Sequence, residues 1–153
     1  MTQVQPTNYR ALNQQLNALL EGENHLIAIL SNSSALINEH LNQINWVGFY
    51  LIENNELILG PFQGRPACVH IKIGSGVCGM AVKEKQIQRV ADVTQFKGHI
   101  ACDVNSKSEI VLPVRKNGEI IGVLDIDAPI TDRFTQTDEE GLSETVKVIE
   151  RFI

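Results

Sequence analysis

An Asn117-Gly118 pair separates two aliphatic runs, Ile110 to Val114 and Ile120 to Ile126. Asn-Gly supplies the two left-handed residues of a tight hairpin turn, so this stretch predicts two antiparallel strands, and the rest of the chain has to build on them. Upstream, WVGFYLI (Trp46 to Ile52) and Leu57 to Gly60 flank Glu53-Asn54-Asn55-Glu56 and predict a second strand pair. Ala67 to Ile73 alternates, with Val69, Ile71 and Ile73 on one side and Cys68 and His70 on the other. Gln88 to Ala91 predicts another short strand. Asp92 to Lys107 has little periodicity and predicts a long loop carrying Cys102, of a length that is usually functional or disordered.

Helical patterns bracket these strands. Leu12, Leu16, Leu19 and Leu20 recur at helical spacing behind a Thr7 or Asn8 cap, and Gly22 ends the segment. Leu26 to Leu41 repeats the pattern, interrupted by the polar Ser31 to Ser34. Val77 to Lys85 predicts a short helix between strands. At the far end Thr137 reads as an N-cap with Glu140 three residues on, ahead of Leu142, Val146, Ile149 and Ile153. The expectation is an α+β fold in one domain over residues 1–153. Its helical N-terminal part spans about 8–42 and its sheet core, of about six antiparallel strands, about 46–127. A C-terminal helix at about 137–152 completes it, with the N- and C-terminal helices packed on one face.

Charge and composition narrow the function classes. Lys and Arg total 13 against 18 Asp and Glu, a net charge of −5, which argues against a phosphate-driven nucleic-acid binder. The longest aliphatic run, Leu26 to Leu30, is far too short to span a membrane. MTQVQPTNYR shows no apolar segment behind a basic start, so the expected location is the cytoplasm. Cys68, Cys78 and Cys102 do not read as a structural disulfide framework in that compartment. Each is first a buried small hydrophobe, and only then a reactive thiol.

Three constellations carry possible chemistry. Gly74, Gly76 and Gly79 form G-x-G-x-x-G between a strand and a helix, the setting of a dinucleotide fingerprint. That fingerprint also needs a parallel strand after the helix, and the hairpin-connected second half does not supply one, so a tight strand-to-helix turn is the better reading. Cys68-x-His70 and His99-x-x-Cys102 supply four potential metal ligands, but without a Cys-x-x-Cys knuckle no metal is expected. His25 and His40 read as surface or capping residues. In LDID, Asp125 and Asp127 share the strand face opposite Leu124 and Ile126, with Glu109 near them across the hairpin. The residues alone leave two readings open, a solvated outer face or a shared pocket. In a pocket, repulsion and burial would raise at least one carboxyl pKa.

The order WVGFYL, GPFQGRPAC, IxxGxGVCG, FKGHIACD, SEIVLPV and GVLDIDAP resembles the free methionine-R-sulfoxide reductases, stand-alone GAF-domain enzymes. The likeness covers nearly the whole chain and includes all three cysteines and the acid set, which a generic GAF sensory domain would not share. The resemblance implies reduction of the free R epimer of methionine sulfoxide, with thioredoxin as electron donor and no cofactor. It implies that Cys102 is the nucleophile that becomes a sulfenic acid, Cys68 the resolving thiol, and Cys78 an auxiliary thiol. Glu109, Asp125 and Asp127 would form the polar pocket, Glu109 or Asp127 serving as proton donor, and Trp46 and Tyr50 its aromatic wall. A Cys68–Cys102 disulfide would bring their Cα atoms within about 7 Å, with the Asp92 to Lys107 loop moving between redox states. The rival expectation is a non-catalytic GAF module sensing a small molecule or redox state. Pairing of terminal helices in a homodimer is also compatible with the pattern.

Overall fold

The computed structural model describes residues 4–99, 102 and 104–153. Six strands form one sheet: β1 (Trp46–Glu53), β2 (Glu56–Gly64), β3 (His70–Lys72), β4 (Gln88–Val90), β5 (Ser108–Lys116) and β6 (Glu119–Ala128). Their order is β3-β2-β1-β6-β5-β4, and every neighbouring pair runs antiparallel. The β5–β6 hairpin forms at Asn117-Gly118, where both residues take positive φ (54° and 80°), as the Asn-Gly pair demands. Asn54 and Asn55 do the same between β1 and β2 (50° and 64°).

The sheet is covered on both faces. On one side lie α2 (Leu26–His40) and α4 (Gln136–Glu150), with α1 (Tyr9–Leu20) packed against both. Leu12, Leu16, Ile29, Ile37, Leu142 and Ile149 meet Val47, Phe49, Leu112, Leu124 and Ile126 there. Each such fully buried aliphatic side chain contributes roughly 1.5–3 kcal/mol. The opposite face carries α3 (Gly76–Glu84), whose Val77, Cys78, Ala81 and Val82 pack on Tyr50, Val111 and Val123.

Local details refine the sequence expectations. Asn8 caps α1, its side chain accepting the Ala11 N–H. The serine run does not interrupt α2, because Ser33 and Ser34 donate to the Ile29 and Leu30 carbonyls at 2.7 and 2.8 Å and so bury their hydroxyls satisfied. The cap of α4 is Thr135, not Thr137, and the capping box closes with Asp138 instead of Glu140. Asp138 is preferred because its carboxylate also receives the buried Arg133 guanidinium at 3.2 Å and the Tyr9 phenol at 2.6 Å. The predicted strand at Ala67 to Ile73 shrinks to three residues at the sheet edge, where Ile71 is buried but Val69 is 51% exposed. Pairing with β2 covers only one short stretch of that edge, so the alternation does not extend to Val69. Among the described residues the long loop carries one 3-10 turn, Val93–Gln95; residues 100, 101 and 103 lie outside them.

The glycine-rich segment is a turn between edges of the sheet. β3 and β4 lie at opposite edges, so α3 crosses the whole face and no parallel β-α-β unit exists. Gly74 and Gly76 take positive φ (94° and 63°) at that turn. A Cβ on Gly79 would stand 2.5 Å from the Lys72 carbonyl oxygen, so only glycine lets the helix pack this close to β3. All three glycines are accounted for by backbone geometry.

Candidate active site

Strand register sets the floor of a pocket beneath α3. Glu109 on β5 pairs with Asp127 on β6, which in turn pairs with Trp46 on β1. One step along, Asp125 lies between Val111 and Gly48, and a further step on, Val123 lies beside Tyr50. Directly opposed residues share a sheet face, so Trp46, Tyr50, Glu109, Asp125 and Asp127 all face α3, while Leu124 and Ile126 face the helical core. The pocket is open at its mouth and small inside, about 40 Å³, and Ala67, Ser75, Val77, Cys78, Cys102 and Ser106 also line it.

Trp46 and Tyr50 stack at 5.9 Å between ring centroids, and Phe62 on β2, opposite Gly48, also stacks on Trp46 at 5.2 Å. Their polar ends are used. Trp46 Nε1 donates to the Arg65 carbonyl at 3.1 Å, and the Tyr50 hydroxyl donates to the Cys68 carbonyl at 2.8 Å. These two bonds hold the segment between β2 and β3 over the pocket. There Cys68 is joined to Cys102 by a disulfide, with Cα atoms 5.5 Å apart and both residues half-buried.

Below the disulfide the acids are buried. Glu109 is 7% exposed and Asp125 5%, whereas Asp127 is half-buried. Burial, reinforced by Asp125 and Asp127 nearby, holds the Glu109 carboxyl well above the usual carboxylate range. Burial raises Asp125 as well, offset in part by Glu109, Cys78 and Asp127 close beside it. The Cys78 thiol donates to Glu109 Oε2 at 4.0 Å. Burial, with Asp125 and Glu109 beside it, pushes that thiol well above its ordinary value. Tyr50 is raised by burial and by the same acids. The pocket therefore stores protons, because ionising all these groups at once would place several like charges together out of water.

Of the two readings open for the acids, the structure has the shared pocket. Trp46, Tyr50, Cys78, Cys102, Glu109, Asp125 and Asp127 all line it, and Cys68 is tied to it through its disulfide with Cys102. The four-ligand metal arrangement does not form, since Cys68 and Cys102 are bonded to each other and His70 pairs with Glu56 on the exposed sheet edge at 2.9 Å. His99 lines the pocket instead. A different trio, Cys78, Glu109 and Asp125, brings one ligand atom each within 4.8 Å of the others. Sequence reasoning missed Phe62, Ser75 and Ser106. Phe62 had a usable signal, its alternation in GPFQG, but Ser75 and Ser106 reach the pocket only through tertiary packing.

Comparison with known proteins agrees with this geometry. The GAF domain family matches residues 14–152. The free methionine-R-sulfoxide reductase of Escherichia coli is 54% identical over 145 residues, 95% of this chain and 88% of its own length. The Staphylococcus aureus fRMsr structure in its reduced form superposes with a TM-score of 0.96 at 68% identity, covering 99% of this chain and 98% of that one. The same S. aureus protein in complex with substrate gives 0.95 at 67% identity, with 98% of each chain covered. With a pocket of buried acids under a paired set of cysteines, and relatives of this closeness over nearly its full length, the chain belongs to the free methionine-R-sulfoxide reductase family of GAF domains.

Proposed function

We propose that reduction of free methionine-R-sulfoxide runs in this chain through a sulfenic acid on Cys102, resolved by Cys68. The Cys102 thiolate attacks the sulfoxide sulfur. As the S–O bond breaks, one proton and the oxygen end on Cys102 as S–OH, and the substrate leaves as methionine. The Cys68 thiol then displaces that hydroxyl, giving water and the Cys68–Cys102 disulfide. The observation that carries the reading is that disulfide, whose Cys102 lines the same pocket as the buried Glu109 and Asp125.

The pocket supplies what the attack needs. A thiolate expels oxygen from sulfur only if the oxygen is protonated as it leaves, and Glu109 and Asp127 are neighbours across one strand pair with a proton available on Glu109. Positive charge that builds on sulfur is favoured by the faces of Trp46 and Tyr50. Asp125, Asp127 and Glu109 also suit the ammonium of a free amino acid, a group that methionine inside a chain lacks. Cys78, buried with its thiolate disfavoured, serves as an auxiliary thiol only.

Turnover requires a dithiol reductant that opens the disulfide by exchange, and a thioredoxin in the cytoplasm fits that need. Both half-exposed cysteines leave room for an incoming thiolate. No helix among the described residues is long and apolar enough to cross a membrane.

Single-turnover experiments test the route. Reduced protein mixed with methionine-R-sulfoxide and no reductant is expected to release one methionine per chain and lose two thiols. Cys68→Ser should still release one methionine and leave Cys102 reactive to a sulfenic-acid trap, while Cys102→Ser should release none. Methionine release by Cys102→Ser at the wild-type level sinks the proposal.

A further inference from the structure

The geometry points to a divalent-cation site inside the same pocket, formed by Cys78, Glu109 and Asp125 and selective for zinc-like ions. One ligand atom from each lies within 4.8 Å of the other two, and all three residues are buried. Their origins differ, Cys78 coming from α3, Glu109 from β5 and Asp125 from β6, so the fold itself holds them together. The independent observation is at Asp125. Its Oδ1 is buried without a hydrogen-bond partner among the described residues, and the side chain lines the pocket. A buried carboxylate oxygen left in this state is costly, and a cation on that oxygen removes the cost.

The donor set decides which cation. One sulfur and two carboxylate oxygens make a three-ligand site of the kind zinc uses with water as a fourth ligand. Magnesium and calcium want six or more oxygens, which this trio does not offer. Tetrahedral zinc bonds of about 2.0–2.3 Å set ligand separations near 3.5 Å. The trio therefore has to close by about an ångström, within reach of side-chain torsions. On binding, the Cys78 thiol and any carboxyl proton are released to solvent and the ion takes their place.

Binding itself does not depend on the reductase reading. Its consequence does: an ion on Glu109 and Asp125 removes the proton donor and the ammonium site together, so zinc would block turnover in competition with substrate.

The test uses oxidised protein without substrate, so its outcome is separate from that of the reductase proposal. The chain has three cysteines, and with the Cys68–Cys102 disulfide closed only Cys78 remains as a thiol. Cobalt(II) added to this form is expected to give a thiolate-to-metal charge-transfer band at one ion per chain, which zinc then abolishes by displacement. X-ray absorption of the zinc form should show one sulfur at about 2.3 Å with oxygen neighbours. Cys78→Ser should lose the cobalt band. Changes behind a ligand already weaken metal binding roughly ten-fold, so Glu109→Gln, which alters a ligand, should weaken it further. Absence of the band, a zinc shell without sulfur, or a band undiminished in Cys78→Ser overturns the proposal. The absorption measurement needs no variant and stands even if a substitution prevents folding.

Discussion

The phenol of Tyr50 donates to the backbone carbonyl of Cys68 at 2.8 Å, tying the floor of the pocket to the segment that carries one half of the disulfide. The same ring stacks on Trp46, whose indole N–H holds the Arg65 carbonyl three residues earlier. The aromatic pair on β1 and the segment carrying Cys68 are thus joined by two hydrogen bonds from one central strand.

Tyr50→Phe keeps the ring and removes that tie. A part-buried carbonyl loses its partner, so stability should fall by about 1 kcal/mol. Disulfide closure should slow several-fold relative to methionine release, as rapid-quench thiol titration against methionine yield would record. Closure and release slowed by an equal factor would show that the hydrogen bond does not position Cys68.

Glu109→Gln removes the buried carboxyl proposed as the proton donor. The rate of methionine release at neutral pH should fall by roughly 10²–10⁴-fold, and the decline of wild-type activity at high pH assigned to this acid should vanish from the pH profile. Asp127→Asn should respond in the same direction if the two carboxyls share the proton.

The same substitution has a consequence for stability. Below about pH 4 residue 109 is protonated in folded and unfolded chains alike, and contributes no difference. As pH rises past the ordinary carboxylate pKa, the unfolded chain releases its proton while the folded chain retains it. Wild-type stability is therefore drawn down across the window from the usual carboxylate pKa up to the raised one. Thermal melts should place Glu109→Gln above wild type near pH 7, with the gap closing toward pH 4. A gap independent of pH would count against a neutral buried Glu109.

Asp138→Ala breaks a different buried knot. Its carboxylate receives Tyr9, Arg133 and Thr135, joining α1, the α4 cap and the segment before it. Arg133 is only 2% exposed, so the change strands a buried guanidinium. The loss should be about 3–5 kcal/mol by denaturant titration. Arg133→Met made together with Asp138→Ala should recover part of it, since the stranded charge is then gone.

Much of the fold was legible in the chain because it depends on local chemistry. Asn117-Gly118 admits the hairpin, Asn8 offers an oxygen to an open helix end, and alternation in LDID separates two apolar from two acidic side chains. Local rules erred where a distant partner outweighed a nearby one. Thr135 and Asp138 displaced Thr137 and Glu140 as the capping pair because Tyr9 and Arg133 reward the aspartate. Ser33 and Ser34 stayed helical because the preceding turn accepts their hydroxyls.

The residue types and their periodicity thus determined that an antiparallel sheet with flanking helices would form, and that three acids could share one of its faces. Whether that face met water or a closed pocket was decided only in three dimensions. α3 had to cross from one sheet edge to the other, and Cys68 and Cys102, 34 residues apart, had to meet. Desolvation and the approach of like charges come from that assembly and from no single stretch of chain, which is why Glu109 and Asp125 are raised in the fold above the values they have along the unfolded chain.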